Sequence, residues 1–402
     1  MPTIDRPNIL LIDCADLGAD GLVAAGAGSA LQRLADAGKA LTCQTANPMS
    51  GPARATLMTG RWPQAHGLWT NETFLPLRER LLSERLAAAG YFCGLIGRNH
   101  LAPVNGWRTE ARRDDDGYRL WEWAHSPTHR ARQNAWMAWL KKTAPDVHQD
   151  LFGRYGDPDA TAPDHELLDK LARLSPGLSF NAWVADRAAA FLDMPRGRGQ
   201  PWFLVAGLQM ERFLDPQSAL RRLDDSLGRI LNALDERGMT GDTLVVLTSN
   251  GVEGQHLTPS GTGVPLILRW PGHPVPAADR AMPVDIAPTL CAAAGLPPCR
   301  RHQGRALFGT TDQPRDFAIT IRRGAADAGM PDVSVYREGP WWLALDHSTG
   351  ATALYDVAND PELLADLASM PEQAGRVERM MDRMMDCLIA CEDRSQPRLG
   401  GF

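Results

Sequence analysis

The feature that most constrains this chain is an uninterrupted apolar run, Asn-Ile-Leu-Leu-Ile at residues 8–12, closing on Asp13, Asp16 and Gly18. A β-favouring run without polar alternation suits a strand buried on both faces, as in a parallel sheet covered by helices on either side. The same punctuation recurs downstream. Ser29 offers a helix N-cap ahead of Leu31, Leu34 and Ala35, and Gly38 offers a stop, before a second strand at 40–43. Residues 81–89 read as a helix, 91–96 as a strand leaving through Gly97-Arg98-Asn99-His100, and 203–208 as another strand. A helix at 219–237, with Leu223, Leu227, Ile230 and Leu234 on one face, precedes strands at 243–248 and 264–270. This alternation predicts an α/β fold, a mainly parallel sheet sandwiched by helices, with functional loops at the C-terminal ends of the strands.

Residues 1–312 are expected to form that α/β domain. Within it, 108–179 breaks the pattern with Arg113-Asp-Asp-Asp-Gly117, a Trp-rich stretch at 120–124 and a helix at 134–142, and reads as an insertion over the sheet edge. From 313 to 402 the character changes: short strands at 317–321, 333–337 and 341–345 and a helix at 371–392 predict a small α+β C-terminal subdomain. The net charge of −6 gives no footprint for nucleic acid, and no run of about 18 apolar residues could span a bilayer. The seven cysteines contain no CxxC pair, which argues for reduced thiols, and the N-terminus lacks a signal-peptide pattern. A cytoplasmic location is the expectation, and a homo-oligomer is compatible with all of this.

Ser50-Gly-Pro-Ala-Arg54-Ala-Thr-Leu-Met-Thr-Gly60-Arg61 resembles the signature of the sulfatases, in the alkaline-phosphatase-like superfamily: Cys or Ser, any residue, Pro, any residue, Arg, then Thr-Gly-Arg. Further segments resemble the family in the same order, among them Thr70-Asn71, Gly97-Arg-Asn-His100-Leu101, Asp285-Ile-Ala-Pro-Thr-Leu290 and Leu354-Tyr-Asp-Val-Ala-Asn-Asp-Pro361. The resemblance implies a C-terminal subdomain with a small antiparallel sheet and a terminal helix. It also implies a small anionic ester as substrate, a divalent cation (calcium or magnesium), and oxidation of Ser50 to formylglycine, whose hydrate attacks sulfur. On this resemblance Ser50, Arg54 and His100 are the catalytic candidates; Asn71, Arg98 and Arg212 the substrate-binding ones; and Asp16 and Asn250 the metal ligands, with Asp13 as a substitute. A bare serine hydroxyl needs a base or metal to become a nucleophile, and Arg54, about one helical turn on, could hold it as an anion.

Several positions depart from the pattern. The first pair of metal-binding aspartates reads Ala15-Asp16; at the later Asp-Asn or Asp-His pair either the aspartate has become Asn250 with Gly251 beside it, or one residue is deleted and Asn250 is the surviving neutral ligand; and the expected lysine before the Trp-His pair is Arg98. The histidine after the strand at 203–208 is replaced by Arg212, and an arginine cannot act as a general acid at neutral pH. Two functions from different classes follow: a sulfate, phosphate or phosphonate ester hydrolase acting through Ser50 with a weakened metal site, or a non-catalytic relative serving as a binding or assembly module. A metal-independent Ser50 hydrolase activated by His100 is a third reading, which requires a hydrogen bond between them. His66 reads as loop-stabilising, and Trp121, Trp123, Trp136 and Trp139 as inserted core or an aromatic lid.

Overall fold

Strand β1 (Asn8–Ala15) is buried at every position but its first, and its side chains alternate between two cores. Leu10, Ile12 and Cys14 pack with the helices Phe180–Leu192 and Pro216–Glu236; Ile9 and Leu11 pack on the other face with the helices Ser50–Thr59, Leu82–Ala88 and Ile286–Ala293. Around it, β2 (Lys39–Gln44), β3 (Phe92–Gly97), β4 (Leu120–Trp123), β5 (Trp202–Gln209), β6 (Thr243–Thr248), β7 (Gly263–Arg269) and β8 (Arg280–Ala281) build one sheet in the order β4-β3-β5-β1-β6-β7-β2-β8. The computed structural model describes residues 6–153, 165–252, 257–273, 280–308, 315–323 and 331–392. Among these, no helix is long and apolar enough to cross a membrane.

Strands β4, β3, β5, β1 and β6 run parallel, whereas β7 is antiparallel to both β6 and β2. The sheet is therefore mostly parallel and mixed. Two reversals give β2 the direction of β1, so the loop after β2 emerges at the same sheet edge as those after β1, β3, β5 and β6. The segment read as an insertion over the edge extends the sheet instead: residues 120–123 pair with β3 as β4, and Trp123 and Trp136 are core rather than lid.

The C-terminal part forms a second, fully antiparallel sheet from β9 (Phe317–Arg322), β10 (Val333–Glu338), β11 (Trp341–Asp346) and β12 (Thr352–Asp356), in the order β12-β11-β10-β9. β12 was not anticipated as a strand; its segment carried only the family-like Leu354-Tyr-Asp motif. Met380, Met384 and Leu388 of the helix Ala374–Ala390 pack with this sheet, and their core includes Ala46, Trp62, Met282 and Val284 from the large unit. Asn47 donates through Nδ2 to the Ile321 carbonyl (2.7 Å) and the Ile321 amide donates to the Ala46 carbonyl (2.9 Å). The C-terminal sheet thus fixes the loop just before Ser50. The boundary expected at 312/313 lies outside the described residues.

Candidate active site

Four neighbouring parallel strands and β2 deliver their loops to one sheet edge, and that edge gathers the residues the sequence singled out. Ser50 opens the buried helix Ser50–Thr59, where the orphan amides of the first turn favour an electron-rich group. Asn47 Oδ1 accepts from the Met49 amide (2.8 Å) and Asn71 Oδ1 from the Gly51 amide (2.9 Å). A Cβ at Gly51 would lie 3.2 Å from Asn71 Oδ1 and 3.4 Å from the His100 carbonyl oxygen, so glycine lets the two loops close on the helix start. Fully buried, Ser50 has its Oγ 3.1 Å from His100 Nδ1.

His100 adopts a left-handed backbone conformation (φ 56°), uncommon without glycine and typical of residues held for function. The buried carboxylate of Glu110 maintains it. Glu110 accepts hydrogen bonds from the His100 and Leu101 amides (both 2.7 Å), Asn99 Nδ2 (2.6 Å) and Trp123 Nε1 (2.8 Å). The His100 and His125 rings stand at right angles, centroids 4.7 Å apart, and Arg98 Nε donates to the His125 carbonyl (2.8 Å). Burial, reinforced by the positive charges of Arg98 and Arg54, pushes the His100 pKa well below the usual imidazole value, so the ring is neutral at pH 7.

The other side of the site consists of carboxylates already matched with cations. Arg54, one turn beyond Ser50, places Nη1 2.6 Å from Asp13 Oδ2, with both side chains buried, and donates to the Arg98 carbonyl (3.0 Å). Burial raises the Asp13 pKa, Arg54 and Arg98 oppose the rise, and Asp16 adds to it, which places these charges within electrostatic reach of one another. Asp16, also left-handed (φ 65°), accepts from Arg212 Nη2 at 2.6 Å. Asn250, just past β6, is buried, and neither its Oδ1 nor its Nδ2 has a hydrogen-bond partner among the described residues; the same holds for Thr248 Oγ1 and for Arg54 Nε and Nη2. A cavity of about 630 Å³ opens beside the Asp16–Arg212 pair, lined by Leu17, Met210, Leu214, Leu220 and Val252.

The structure thus brings Ser50, Arg54, His100, Arg98 and Asp13 into one connected cluster. Asn71 holds the helix start through the Gly51 amide, which is a structural contact, and Arg212 is engaged by Asp16. His66 lies in the core between Thr56 Oγ1 (3.1 Å from Nε2) and the Leu68 amide, which donates to Nδ1 (3.1 Å). Glu110 and His125 escaped the sequence reading. Both lie in or beside the insertion, where no periodicity or motif marks them, and only the pairing of β4 with β3 brings their loops to the site.

The divalent cation that the resemblance implies does not fit this donor set. Calcium and magnesium require several oxygen ligands, most of them charged, whereas each carboxylate at the end of β1 already faces a guanidinium. Among the described residues no group of three or more His, Cys, Asp or Glu side chains is placed to hold a metal.

Two family descriptions match the chain: type I phosphodiesterase / nucleotide pyrophosphatase over residues 22–251, more than half its length, and sulfatase over residues 215–296. Bovine arylsulfatase A is 29% identical over 350 residues, covering 72% of this chain and 64% of that protein, so the chain spans slightly less than two thirds of that relative. Human N-acetylgalactosamine-6-sulfatase is also 29% identical, over 79% of this chain and 68% of the relative. The fold matches a phosphonate monoester hydrolase of Agrobacterium radiobacter with a TM-score of 0.72, at 22% identity and over 96% of both chains. It also matches one from Silicibacter pomeroyi with a TM-score of 0.75, at 18% identity and over 97% of this chain and 96% of the other.

Proposed function

The chain belongs to the sulfatase family of the alkaline-phosphatase-like superfamily and matches the type I phosphodiesterase / nucleotide pyrophosphatase description over more than half its length, and on that premise we propose that it hydrolyses monoesters of tetrahedral oxyanions, namely sulfate esters or phosphonate and phosphate monoesters. The observation that carries this reading is the contact between Ser50 Oγ and His100 Nδ1 at 3.1 Å, at the start of a buried helix. The neutral His100 ring offers a lone pair at Nδ1 for the Ser50 hydroxyl proton, which turns Oγ into the attacking atom. Oxidised to formylglycine, the same side chain would supply a hydrated aldehyde hydroxyl at that position. Arg54 and Arg98 provide fixed positive charge for the anion that develops.

Among the described residues no general acid stands opposite. An arginine in the place of the family's histidine is no proton donor at neutral pH, so leaving groups that depart as stabilised anions, aryl oxides above all, suit the site better than alkoxides. The apolar walls beside Asp16 and Arg212 favour the same class. The test is hydrolysis of a chromogenic aryl sulfate and an aryl phosphonate by the wild type and by Ser50→Ala. The expected result is slow wild-type turnover that falls at least about 10³-fold in the variant. Equal background in both proteins would overturn the hydrolase reading in favour of a non-catalytic oxyanion-binding module, a reading supported by the pairing of both β1 carboxylates with arginines.

A further inference from the structure

We propose that guanidinium groups take over the electrostatic work of the divalent cation in this chain: Arg54 and Arg212 neutralise Asp13 and Asp16, and the site binds a tetrahedral oxyanion directly, without a metal. The inference deepens the hydrolase reading and rests on it for the class of ligand.

The argument begins with charge. Arg54 lies 2.6 Å from Asp13 and Arg212 lies 2.6 Å from Asp16, while Arg98 acts on Asp13 from the exit of β3. Three guanidinium groups therefore face Asp13 and Asp16, and the remaining carboxylate of the site, Glu110, is occupied by four N–H donors. A dication entering there would have to displace two arginines and shed its water for ligands already neutralised, an exchange that hard cations resist. An oxyanion meets the opposite situation. The donors Arg54 Nε and Nη2 and Asn250 Nδ2 are buried, on residues only 3% exposed, and none has a hydrogen-bond acceptor among the described residues; the acceptors Asp13 Oδ1 and Asn250 Oδ1, likewise without a hydrogen-bond donor there, belong to a carboxylate already paired with Arg54 and to a neutral amide. Buried N–H groups left unpaired are costly, and planar guanidinium forks match the geometry of sulfate and phosphate oxygens. The sequence departures point the same way. Ala15 and Asn250 remove negative charge from the places where a cation would need it, Arg212 adds positive charge in place of a histidine, and Arg98 keeps the charge of the lysine it replaces in a form that matches an oxyanion.

The test is calorimetric and needs no turnover. Metal-stripped wild type is titrated with inorganic sulfate and inorganic phosphate, in EDTA and then with excess calcium or magnesium chloride, and separately with the two cations alone. The expected result is an oxyanion affinity that changes less than about twofold between the two conditions, and no saturable cation binding tighter than about 1 mM. Arg212→Gln, at a half-exposed position, is expected to weaken oxyanion binding about tenfold and to give measurable calcium affinity by releasing Asp16; Arg212→Lys keeps the charge and is expected to retain most of the oxyanion affinity. One equivalent of calcium or magnesium bound by the wild type below about 0.1 mM would overturn the proposal. So would oxyanion binding that appears only with added cation, or no oxyanion binding under either condition. Ser50→Ala separates the two readings, because its loss of turnover concerns the hydrolase alone and these titrations do not depend on it.

Discussion

The two halves of the site are held by different physics. The nucleophile half, Ser50 with His100, is fixed by buried, directional hydrogen bonds: Asn71 to the Gly51 amide, four donors on Glu110, and His66 under the same helix. In the carboxylate half, Asp13 and Asp16 are fixed by ion pairs with Arg54 and Arg212, and its amide Asn250 has no side-chain partner among the described residues. The contrast teaches that a site of this family can preserve the geometry of attack while exchanging the source of its positive charge. Orientation rests on directional contacts that tolerate little change. Charge compensation depends mainly on sign and distance, so an arginine can stand where a metal otherwise would.

The largest effect that would break this contrast lies at Glu110. Glu110→Ala leaves four N–H donors without their acceptor in a buried loop, and it is expected to destabilise the protein by about 3–5 kcal/mol in urea unfolding. A loss below about 1 kcal/mol would mean that the His100 loop is held by something else.

Acid should reveal the neutral histidines next. Burial and the nearby Arg61 lower the His66 pKa from 6.5 to about 3, and the Leu68 amide donating to Nδ1 requires the unprotonated ring. The folded pKa lies below the unfolded one, so the unfolded chain binds the extra proton, and this contribution is complete above pH 6.5 and lost as the pH falls toward 3. Within that window wild-type stability is expected to fall by up to about 1.4 kcal/mol per pH unit more steeply than that of His66→Gln. Parallel urea-stability profiles of the two proteins between those limits would show that His66 is not the acid-sensitive group.

The smallest effect belongs to the carboxylate half. The Asp16–Arg212 pair has half its arginine side chain in solvent, and exposed pairs contribute little. Asp16→Asn is expected to change stability by only about 0.5 kcal/mol, an effect that shrinks further in high salt. A loss above about 2 kcal/mol would place this pair with the nucleophile half as a fold-determining contact.

What the sequence determined by itself was whatever is local in the chain. The apolar run at 8–12 specifies a doubly buried strand because every residue in it must leave water, and the Ser50–Arg54 spacing places the guanidinium one turn from the hydroxyl because both lie on one helix. The strands and helices expected from the sequence lie within a few residues of where they were read, whereas β12 and the helices Pro145–Phe152, His165–Ala172 and Phe180–Leu192 carried no such expectation. The tertiary structure decided everything that depends on which distant segments meet. Side-chain period does not encode strand direction, so the reversal of β7 and the pairing of residues 120–123 with β3 could not be read. The contact of Ser50 with His100 spans 50 residues, and the Asp16–Arg212 pair spans 196. Such contacts exist only because the loops after β1, β2, β3 and β5 converge at one sheet edge. Sequence therefore named most of the groups, whereas the fold determined which of them touch and consequently which charges cancel.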